Sequence, residues 1–531
     1  MTLGTAISDW TKLLGADQVL DAQATRRTYG ADTNGITRDL PGALQIQDSA
    51  QLPDVLRIAG RHGVPVYPIS TGKNWGYGTS LPATDGCIIL DLSRLTKILH
   101  FDAELGVVTL EPGVTQGMLA DFLDQGGHSF LVPVTGAGPT VSLVGNALER
   151  GYGITPYTDH FGAVTDLEAV LADGSLYRTA LREAAGEDLA RLFKGGIGPA
   201  STGLFTQSGF GVVTRMSIAL ARRPDCIKAC LFSLKDDSLL EPAIERIRSI
   251  LSKLPGVVGG INLMNQHRTL AMAAPFPYDR LDADGMIPAE VIQEMGGQYQ
   301  LAPWTGFGTL YGSKRVVAAA QKEIRAALSG IASRLLFISP ERAGTLAKLV
   351  GHLPGAGAQR LSRTVGTLAK SLQLVAGRPN ETALPLAYWR NPNPPSGALR
   401  NPAADGCGLI WYAPLVPMRP AGVRAYVEMV KKVTHKHGIE PLITLTSISD
   451  RVFDSTVPII FEKENAAAQE TAGRCYQDLL ETGRELGVFP YRVGIHSMEY
   501  LASLQDHAHR FHGNLKNHLD PSNILAPGRY S

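Results

Sequence analysis

Two glycine-rich stretches near the start of the chain constrain its fold more than any other feature. The first runs Pro68-Ile-Ser-Thr-Gly-Lys-Asn-Trp-Gly-Tyr-Gly-Thr-Ser80, and the second runs Gly136-Ala-Gly-Pro-Thr-Val-Ser-Leu-Val-Gly-Asn146. Closely spaced glycines let the backbone take conformations closed to other residues and approach a ligand. Successive free amides in such a loop can form an anion-binding nest. Two such loops, separated by strand-like segments, predict one extended phosphate-bearing ligand laid across both.

Strand and helix patterns alternate around these loops. Apolar runs predict strands at residues 64–69 and 87–91, and helical periodicity predicts a helix at 51–62. Beyond residue 223, a further series with antiparallel candidates predicts a second domain. The predicted fold is therefore α+β with two domains. Further along, the patterns predict a polar stretch that ends near residue 310, a helix at 315–332, a helical insertion at 340–383 and a long helix at 466–486.

Length, charge and cysteine content narrow the class of protein. A chain of 531 residues predicts two large domains. The formal net charge of +1 gives no electrostatic case for nucleic acid. No apolar run is long enough to span a bilayer and the N-terminus lacks a signal-peptide pattern, so we expect no membrane contact and a cytoplasmic location, with the periplasm as the open alternative. The five cysteines are scattered, which predicts neither a disulfide framework nor a metal site.

Six motifs stand in order along the chain and together resemble one family. They are Thr71-Gly-Lys-Asn-Trp-Gly-Tyr-Gly78, Glu111-Pro-Gly-Val114, Gly151-Tyr-Gly-Ile-Thr-Pro-Tyr-Thr-Asp-His160, Gly203-Leu-Phe-Thr-Gln-Ser-Gly-Phe-Gly-Val-Val-Thr214, Trp411-Tyr-Ala-Pro414 and Asp520-Pro-Ser-Asn-Ile-Leu-Ala-Pro-Gly528. The set closely resembles the vanillyl-alcohol oxidase and p-cresol methylhydroxylase flavoproteins. The resemblance begins near residue 40 and is weakest over 256–400. The first loop does not have the strand–GxGxxG–helix form of a Rossmann fingerprint.

The resemblance implies a two-part fold that binds FAD. A cover segment at 1–37 would precede an FAD-binding domain at 38–222. A cap domain at 223–460 would cover the flavin ring, and residues 461–531 would return to the FAD-binding domain. The residues expected to bind FAD are Thr71, Gly72, Lys73, Asn74, Gly76, Gly78, Pro133, Gly138, Ser142, Asn146, Gly151, Gly153, Gln207, Ser208, Gly211, Val212 and Arg529.

Tyr77, Tyr491 and Arg492 match the family's phenol-binding trio. A phenol titrates near pKa ~10, and its phenolate pushes electron density to the para-benzylic carbon. One guanidinium and two hydroxyl donors would stabilise that oxygen. Hydride transfer to flavin N5 then leaves a p-quinone methide, which water converts to a benzylic alcohol, while other substrates give an alkene or an aldehyde. The alternative from composition alone is that Tyr77 packs against its loop and Tyr491-Arg492 is a strand edge with a surface salt bridge.

The resemblance also implies acids beside the flavin. It places Asp159 near flavin N5, where the carboxyl would exchange a proton as water attacks the quinone methide. The alternative is a turn aspartate before His160. Where the family carries acids before Phe461, this chain has a threonine-rich segment at 444–450, so either Asp450 or Asp454 could substitute.

The flavin linkage and the electron acceptor stay open. Family members often join FAD to a histidine or tyrosine near the strand that here spans 406–414, which contains Cys407 and Tyr412, and Tyr388 lies upstream. A tightly bound, non-covalent FAD is the equal alternative. The resemblance further implies a small phenolic substrate, a homodimer, and either oxygen or a separate cytochrome as the acceptor.

Two other functions stay open from the sequence. An FAD enzyme for 2-hydroxy acids or sugars would share the flavin fold, because Arg492 could bind a carboxylate as well as a phenolate. A flavin-fold protein without redox function would act as a binding module.

Overall fold

The computed structural model of the chain describes residues 3–351, 356–395 and 399–530. Its strands, in chain order, are β1 (Val19–Asp21), β2 (Gly42–Gln45), β3 (Val66–Ile69), β4 (Ile88–Asp91), β5 (Ile98–Asp102), β6 (Val107–Leu110), β7 (Phe130–Leu131), β8 (Val164–Val170), β9 (Leu176–Arg178), β10 (Val212–Ala219), β11 (Ala221–Arg222), β12 (Cys226–Leu234), β13 (Val258–Asn265), β14 (Trp304–Gly312), β15 (Ala332–Ile338), β16 (Cys407–Tyr412), β17 (Pro414–Pro417), β18 (Thr444–Ser447), β19 (Val452–Glu462) and β20 (Phe489–Pro490).

The helices alternate with these strands. They are α1 (Leu3–Leu14), α2 (Ala22–Tyr29), α3 (Leu52–His62), α4 (Gln116–Gln125), α5 (Leu143–Leu148), α6 (Ala180–Ala185), α7 (Glu187–Ala190), α8 (Leu240–Lys253), α9 (Gln266–Ala273), α10 (Ala289–Tyr299), α11 (Lys314–Leu328), α12 (Pro340–Gly351), α13 (Ala356–Val375), α14 (Pro420–Lys436), α15 (Ala466–Glu485), α16 (Met498–Ser503) and α17 (His507–Leu519). Among the described residues, no helix is both long and apolar enough to cross a membrane.

Two small sheets form the half of the molecule that carries both glycine loops. One has the order β1-β2-β4-β3, in which β2, β4 and β3 run parallel. The other is antiparallel, with the order β5-β6-β10-β8-β9. The first glycine loop follows the carboxyl end of β3, and the second leads into α5. The carboxyl ends of parallel strands are the usual place for ligands in open sheets.

The large sheet has the order β15-β12-β14-β13-β18-β19-β17-β20, and β16 also pairs with β19. Because successive side chains of a strand point to opposite faces, β19 divides its residues between two environments. Phe453, Val457 and Ile459 lie in an apolar core with α8, α11, α14 and α15, and we call this side the core face. Asp454 and Thr456 point to the opposite side, which we call the inner face because Trp411, which lies on it, contacts the first glycine loop.

The predicted α+β class is confirmed, but the sequence patterns do not predict β14, β15 or β19. β14 contains three glycines, which normally weaken a strand. At Gly306 the reason is local: a Cβ atom there would overlap the ring of Phe232 on the neighbouring strand β12. The predicted polar stretch before residue 310 therefore also contains α9, α10 and most of β14.

Pro458 conceals β19 in the sequence, because proline is normally confined to strand edges. In the structure only β16 pairs with β19 at Pro458, whereas β17 and β18 pair with residues 452–456. On the other side of Pro458 no strand pairs with β19 among the described residues, so the missing N–H group costs no hydrogen bond there.

The predicted segment boundaries fall at identifiable places in the structure. The boundary at 222–223 lies between β11 and β12, the first strand of the large sheet in the sequence. The predicted boundary at residue 460 lies within β19, which runs to Glu462, and both α15 and β20 pack with the large sheet. The predicted insertion at 340–383 contains α12 and α13, and its residues 352–355 lie outside the described part.

Candidate active site beside the inner face of the large sheet

The first glycine loop is pressed against two other segments of the protein. Gly72, Gly76 and Gly78 have φ angles of 62°, 78° and 120°, which side chains rarely allow. A Cβ atom at Gly76 would overlap Trp411, and one at Gly78 would lie 2.7 Å from Ile495. The glycines therefore leave room for other side chains of the protein. Through Trp411, the loop packs against the large sheet.

The two glycine loops meet and leave amides free. The backbone N–H of Ser142 donates to Thr71 Oγ1 at 3.2 Å, and Ser142 Oγ caps α5 by accepting from the N–H of Gly145 at 2.9 Å. Within the described residues, the backbone N–H groups of Gly72 and Lys73 donate to no acceptor. Consecutive free amides beside a lysine suit a phosphate. The donor set of this region therefore fits the pyrophosphate of FAD.

The structure brings Tyr77, Tyr491 and Arg492 together. The guanidinium carbon of Arg492 lies 4.1 Å from the centre of the Tyr77 ring, and its Nη2 donates to Asn74 Oδ1 in the first loop. Tyr491 packs edge-on against Tyr152, with 5.3 Å between ring centres. Burial is the main cause that raises the pKa values of Tyr77 and Tyr491. Both hydroxyls therefore stay protonated near neutral pH and remain hydrogen-bond donors.

Asp454 on the inner face lies close enough to Tyr491 and Arg492 to interact with both electrostatically. Only 5% of the residue is exposed, and its Oδ1 has no hydrogen-bond partner among the described residues. Burial raises the pKa of Asp454 to about 7, against the opposing effect of Arg492. After burial, the Asp454 charge is the next cause that raises the pKa of Tyr491. The other candidate from the sequence, Asp450, lies beside Arg451 in the turn before β19, with Oδ1 3.8 Å from the Arg451 Nε.

Glu149 is a site residue that the sequence reasoning missed. Its Oε2 lies 3.3 Å from Arg492 Nε, and its Oε1 accepts from Arg529 Nη2. Gln207 Nε2 reaches the carbonyl oxygens of both Glu149 and Tyr491 at 3.3 Å. Glu149 directly follows α5, so it lies next to a predicted loop. The need of a buried arginine for an acid partner is the signal that could have identified it.

Asp159 lies apart from the phenol-binding trio. Its side chain is exposed and its Oδ1 accepts from the N–H of Gly162 at 2.9 Å, which is the geometry of a turn aspartate. Its backbone forms a bridge with Tyr152, whose ring contacts Tyr491. Next to it, His160 Nδ1 lies 2.5 Å from Asn146 Oδ1, and burial lowers the pKa of His160 to about 4.

The other predicted FAD residues fall into two groups. Those near the second loop allow close backbone packing: a Cβ atom at Gly151 would overlap Asn146, and one at Gly153 would overlap the carbonyl oxygen of Val134, the residue after Pro133. Gly138 has a φ angle of 95° in that loop. Those near β10 contact the protein: Ser208 Oγ donates to the Leu204 carbonyl at 2.6 Å, a Cβ atom at Gly211 would lie 2.8 Å from the Phe205 ring, and Val212 is buried at the start of β10.

Of the residues considered for a flavin linkage, Tyr388 and Cys407 lie in one apolar cluster, and Tyr412 lies in another. Tyr412 is fully buried on the core face of the large sheet. Tyr388 OH donates to Asp405 Oδ2 at 2.5 Å. Cys407 is buried at the start of β16, and burial raises the pKa of its thiol to about 11. Lys73 of the first loop is partly buried, which lowers its pKa, and Asp405 acts in the opposite direction.

Comparison with known proteins supports a flavoprotein. Residues 41–180 match a family model described as an FAD binding domain. The chain is 34% identical to the 1'-carboxy-chondrochloren decarboxylase of Chondromyces crocatus, over 99% of this chain and 97% of that protein. It is 27% identical to the 4-cresol dehydrogenase (hydroxylating) flavoprotein subunit of Pseudomonas putida, over 99% and 94% of the two chains. The crystal structure of p-cresol methylhydroxylase with substrate bound matches with a TM-score of 0.88 at 25% identity, over 100% of this chain and 97% of the other.

The fold, the paired glycine loops and these matches define an FAD-dependent oxidoreductase. The chain belongs to the vanillyl-alcohol oxidase and p-cresol methylhydroxylase family, and the predicted cofactor, FAD, is confirmed.

Proposed function

We propose that the protein oxidises 4-alkylphenols or 4-hydroxybenzylic alcohols by removing a hydride from the benzylic carbon. The observation that supports this is the convergence of Tyr77, Tyr491 and Arg492, with the Arg492 guanidinium 4.1 Å from the Tyr77 ring centre. Two protonated tyrosines and a guanidinium form a donor set for one phenolate oxygen. Bound FAD would supply the hydride acceptor.

Asp454 would take the phenol proton. A base works best when its pKa lies near the operating pH, and burial raises the pKa of Asp454 to about 7. Its unpartnered Oδ1 is available to a ligand hydroxyl. Once the proton has moved, Arg492 would hold the phenolate charge while Tyr77 and Tyr491 donate hydrogen bonds to it.

The p-quinone methide would then react in a way that depends on its side chain. Water addition gives a benzylic alcohol, and loss of a proton from the next carbon gives an alkene. We keep Asp159 as the proposed proton carrier in the water step, because its backbone forms a bridge with Tyr152 at the edge of the site and its carboxyl is exposed to water.

A second candidate fate is loss of carbon dioxide. In a quinone methide with a carboxylate on the carbon next to the benzylic one, the bond to the carboxylate breaks and its electron pair forms the side-chain double bond. The ring regains its phenolate and CO2 leaves. The 34% identity to a protein named as a carboxy-chondrochloren decarboxylase favours this candidate.

FAD would lie across both glycine loops in this proposal. The pyrophosphate would bind the amides of Gly72 and Lys73, and Arg529, which donates to Glu149, would help to hold the cofactor. Oxygen or a separate cytochrome would reoxidise the cofactor, and a relative named as a flavoprotein subunit favours a protein acceptor. We propose a homodimer as the assembly.

An anaerobic titration tests the proposal. Addition of 4-ethylphenol or vanillyl alcohol should bleach the visible flavin band, and admission of air then separates an oxidase, which recovers fast, from a dehydrogenase. No bleaching with either phenol would reject phenol oxidation and favour hydroxy acids or sugars.

Two variants locate the phenolate. Arg492→Ala and Tyr491→Phe should each lower kcat/KM for 4-ethylphenol by roughly 100- to 1,000-fold, because each removes a donor to a developing oxyanion, while FAD stays bound. Tyr500→Phe, on α16 outside the site, is the matched control and should leave turnover unchanged. Unchanged turnover in both site variants would show that the phenolate binds elsewhere.

A further inference from the structure

One buried arginine beside the inner face has no acid partner. Arg268 lies on α9 with 8% of its surface exposed. Among the described residues its side chain makes a single hydrogen bond, from Nε to Thr444 Oγ1 at 3.1 Å, and its buried Nη1 has no partner. Burial lowers the pKa of Arg268 to about 10, so the guanidinium stays charged at neutral pH. A buried charge is costly unless an opposite charge or hydrogen bonds compensate it.

Among the described residues, the buried acid near the same helix makes its hydrogen bond to the backbone, and its second oxygen accepts none. Glu440 Oε1 accepts from the N–H of Ile287 at 2.7 Å, and its Oε2 lies 3.4 Å from Nε2 of His267. No acid is among the causes that shift the pKa of Arg268. Within the described part of the chain, this guanidinium therefore has room for an anion from outside the protein.

The register of the large sheet places Arg268 next to the reaction site. Thr446 on β18 pairs directly with Asp454 on β19, and Thr444 pairs with Thr456. Thr444 and Thr446 point to the same face and lie about 7 Å apart along the strand. Arg268, bound to Thr444, therefore lies one residue pair further along the inner face than Asp454.

A small cavity adjoins this part of the inner face. Its lining includes Thr446 and Asn262, which pair with each other across β18 and β13, together with Phe307, Gly153 and Ile154, and it stops short of Thr444 and Arg268. The cavity thus lies between the large sheet and the loop that carries Tyr152. The row from Asp454 past Thr446 and Thr444 to Arg268 is polar along its whole length.

We propose that Arg268 binds a carboxylate at the end of the substrate's para side chain. The substrate class would then be 4-hydroxyphenyl alkanoates, of which 3-(4-hydroxyphenyl)propanoate is the simplest probe. This inference rests on the proposed function, because the phenol end is assigned to Tyr77, Tyr491 and Arg492. A guanidinium fork binds a carboxylate through two parallel hydrogen bonds, so Arg268 would act as a specificity residue at the far end of the substrate.

The test compares a charged and a neutral substrate. We expect Arg268→Met to lower kcat/KM for 3-(4-hydroxyphenyl)propanoate by roughly 100-fold or more, because it removes one partner of a buried charge pair, and to change kcat/KM for 4-ethylphenol less than about threefold. Arg268→Lys keeps the charge but loses the fork and should give an intermediate loss on the acid alone. Arg315→Met, on the exposed side of α11, is the matched control.

The outcomes separate this inference from the proposed function. Suppose that the wild-type protein oxidises 4-ethylphenol. If Arg268→Met then lowers kcat/KM equally for both substrates, or lowers it for neither, the carboxylate site is wrong and the proposed phenol site stands. If the wild-type protein oxidises neither phenol, the proposed function fails, and equilibrium binding of 3-(4-hydroxyphenyl)propanoate, followed by the flavin spectrum, tests Arg268 alone. If Arg268→Met does not fold, Arg268→Gln takes its place in the same comparison. Equal binding of 3-(4-hydroxyphenyl)propanoate by the folded variant and the wild type would reject the inference.

Discussion

The two faces of the large sheet are built from the same strands and have opposite compositions. On the core face, Phe453, Val457 and Ile459 are fully buried among helices. On the inner face, the alternate residues of β19 include Asp454 and Thr456, and Arg268 packs beside them. Neighbours in sequence therefore lie in different environments, since one residue is buried in the apolar core and the next lies on the face of the proposed substrate site. The comparison predicts that a substitution on the inner face will change turnover, whereas a substitution one residue away on the core face will change the free energy of unfolding.

The largest effect is expected from Asp454→Asn on the inner face. The amide cannot accept the phenol proton, so kcat/KM for 4-ethylphenol should fall by roughly 100- to 10,000-fold, the usual contribution of a positioned base. The protein should keep FAD, and at pH 7.5 its thermal stability should be no lower than that of the wild type, because the amide carries no buried charge. Steady-state kinetics with Asp450→Asn as the control measures this, and a loss of less than tenfold would remove Asp454 from the proton path.

The next effect is expected one residue away, on the core face. Phe453→Ala should lower the free energy of unfolding by about 3–5 kcal/mol, because it leaves a cavity in a fully buried position. Turnover per bound flavin should stay within about twofold at a temperature where the variant is folded. Urea unfolding measures the first quantity, with Thr456→Ala on the inner face as the control. Similar unfolding losses in both variants would contradict the division between the faces.

The third effect, on a scale similar to that of Phe453→Ala, is the pH dependence that Asp454 gives to stability. Its pKa is raised by burial from an ordinary value near ~3.9 to about 7 in the folded protein. The folded state therefore holds the proton more tightly, and stability relative to Asp454→Asn should fall as pH rises from about 4 to about 7 and then level off. Urea unfolding of both proteins across this range checks the sign. A constant difference would mean that the carboxyl is ionised throughout.

The sequence predicted the flavin half of the molecule better than the large sheet. The glycine loops and the Tyr491-Arg492 pair could be recognised because they are contiguous motifs with local chemistry. The sequence indicates Asp454 only as one of two candidates. Pro458 argues against a strand there, so the sequence does not predict β19, the strand that sets the direction of the Asp454 side chain. Glu149 and Arg268 were missed because their significance comes from partners far along the chain: Arg492 and Arg529 for the first, and Thr444 for the second.

The glycines illustrate a further limit of sequence reasoning. The prediction treated Gly76 and Gly78 as space for a ligand, and in the structure Trp411 and Ile495 occupy the positions that their side chains would take. A missing side chain shows that something comes close, but the sequence does not say whether that is a cofactor or another part of the protein. The free amides of Gly72 and Lys73 could be identified only from the hydrogen bonds.

The chain passes from the large sheet to the proposed phenol site without a linker. β20 ends at Pro490, and Tyr491 and Arg492 are the next two residues. Recombination between relatives would therefore separate the pair from its sheet if the crossover fell at residue 460, and would transfer both together if it fell after residue 492. If the proposed phenol site is right, a chimera designed to acquire a new side-chain preference must take the second crossover, because Tyr491 and Arg492 directly follow the last strand of the large sheet.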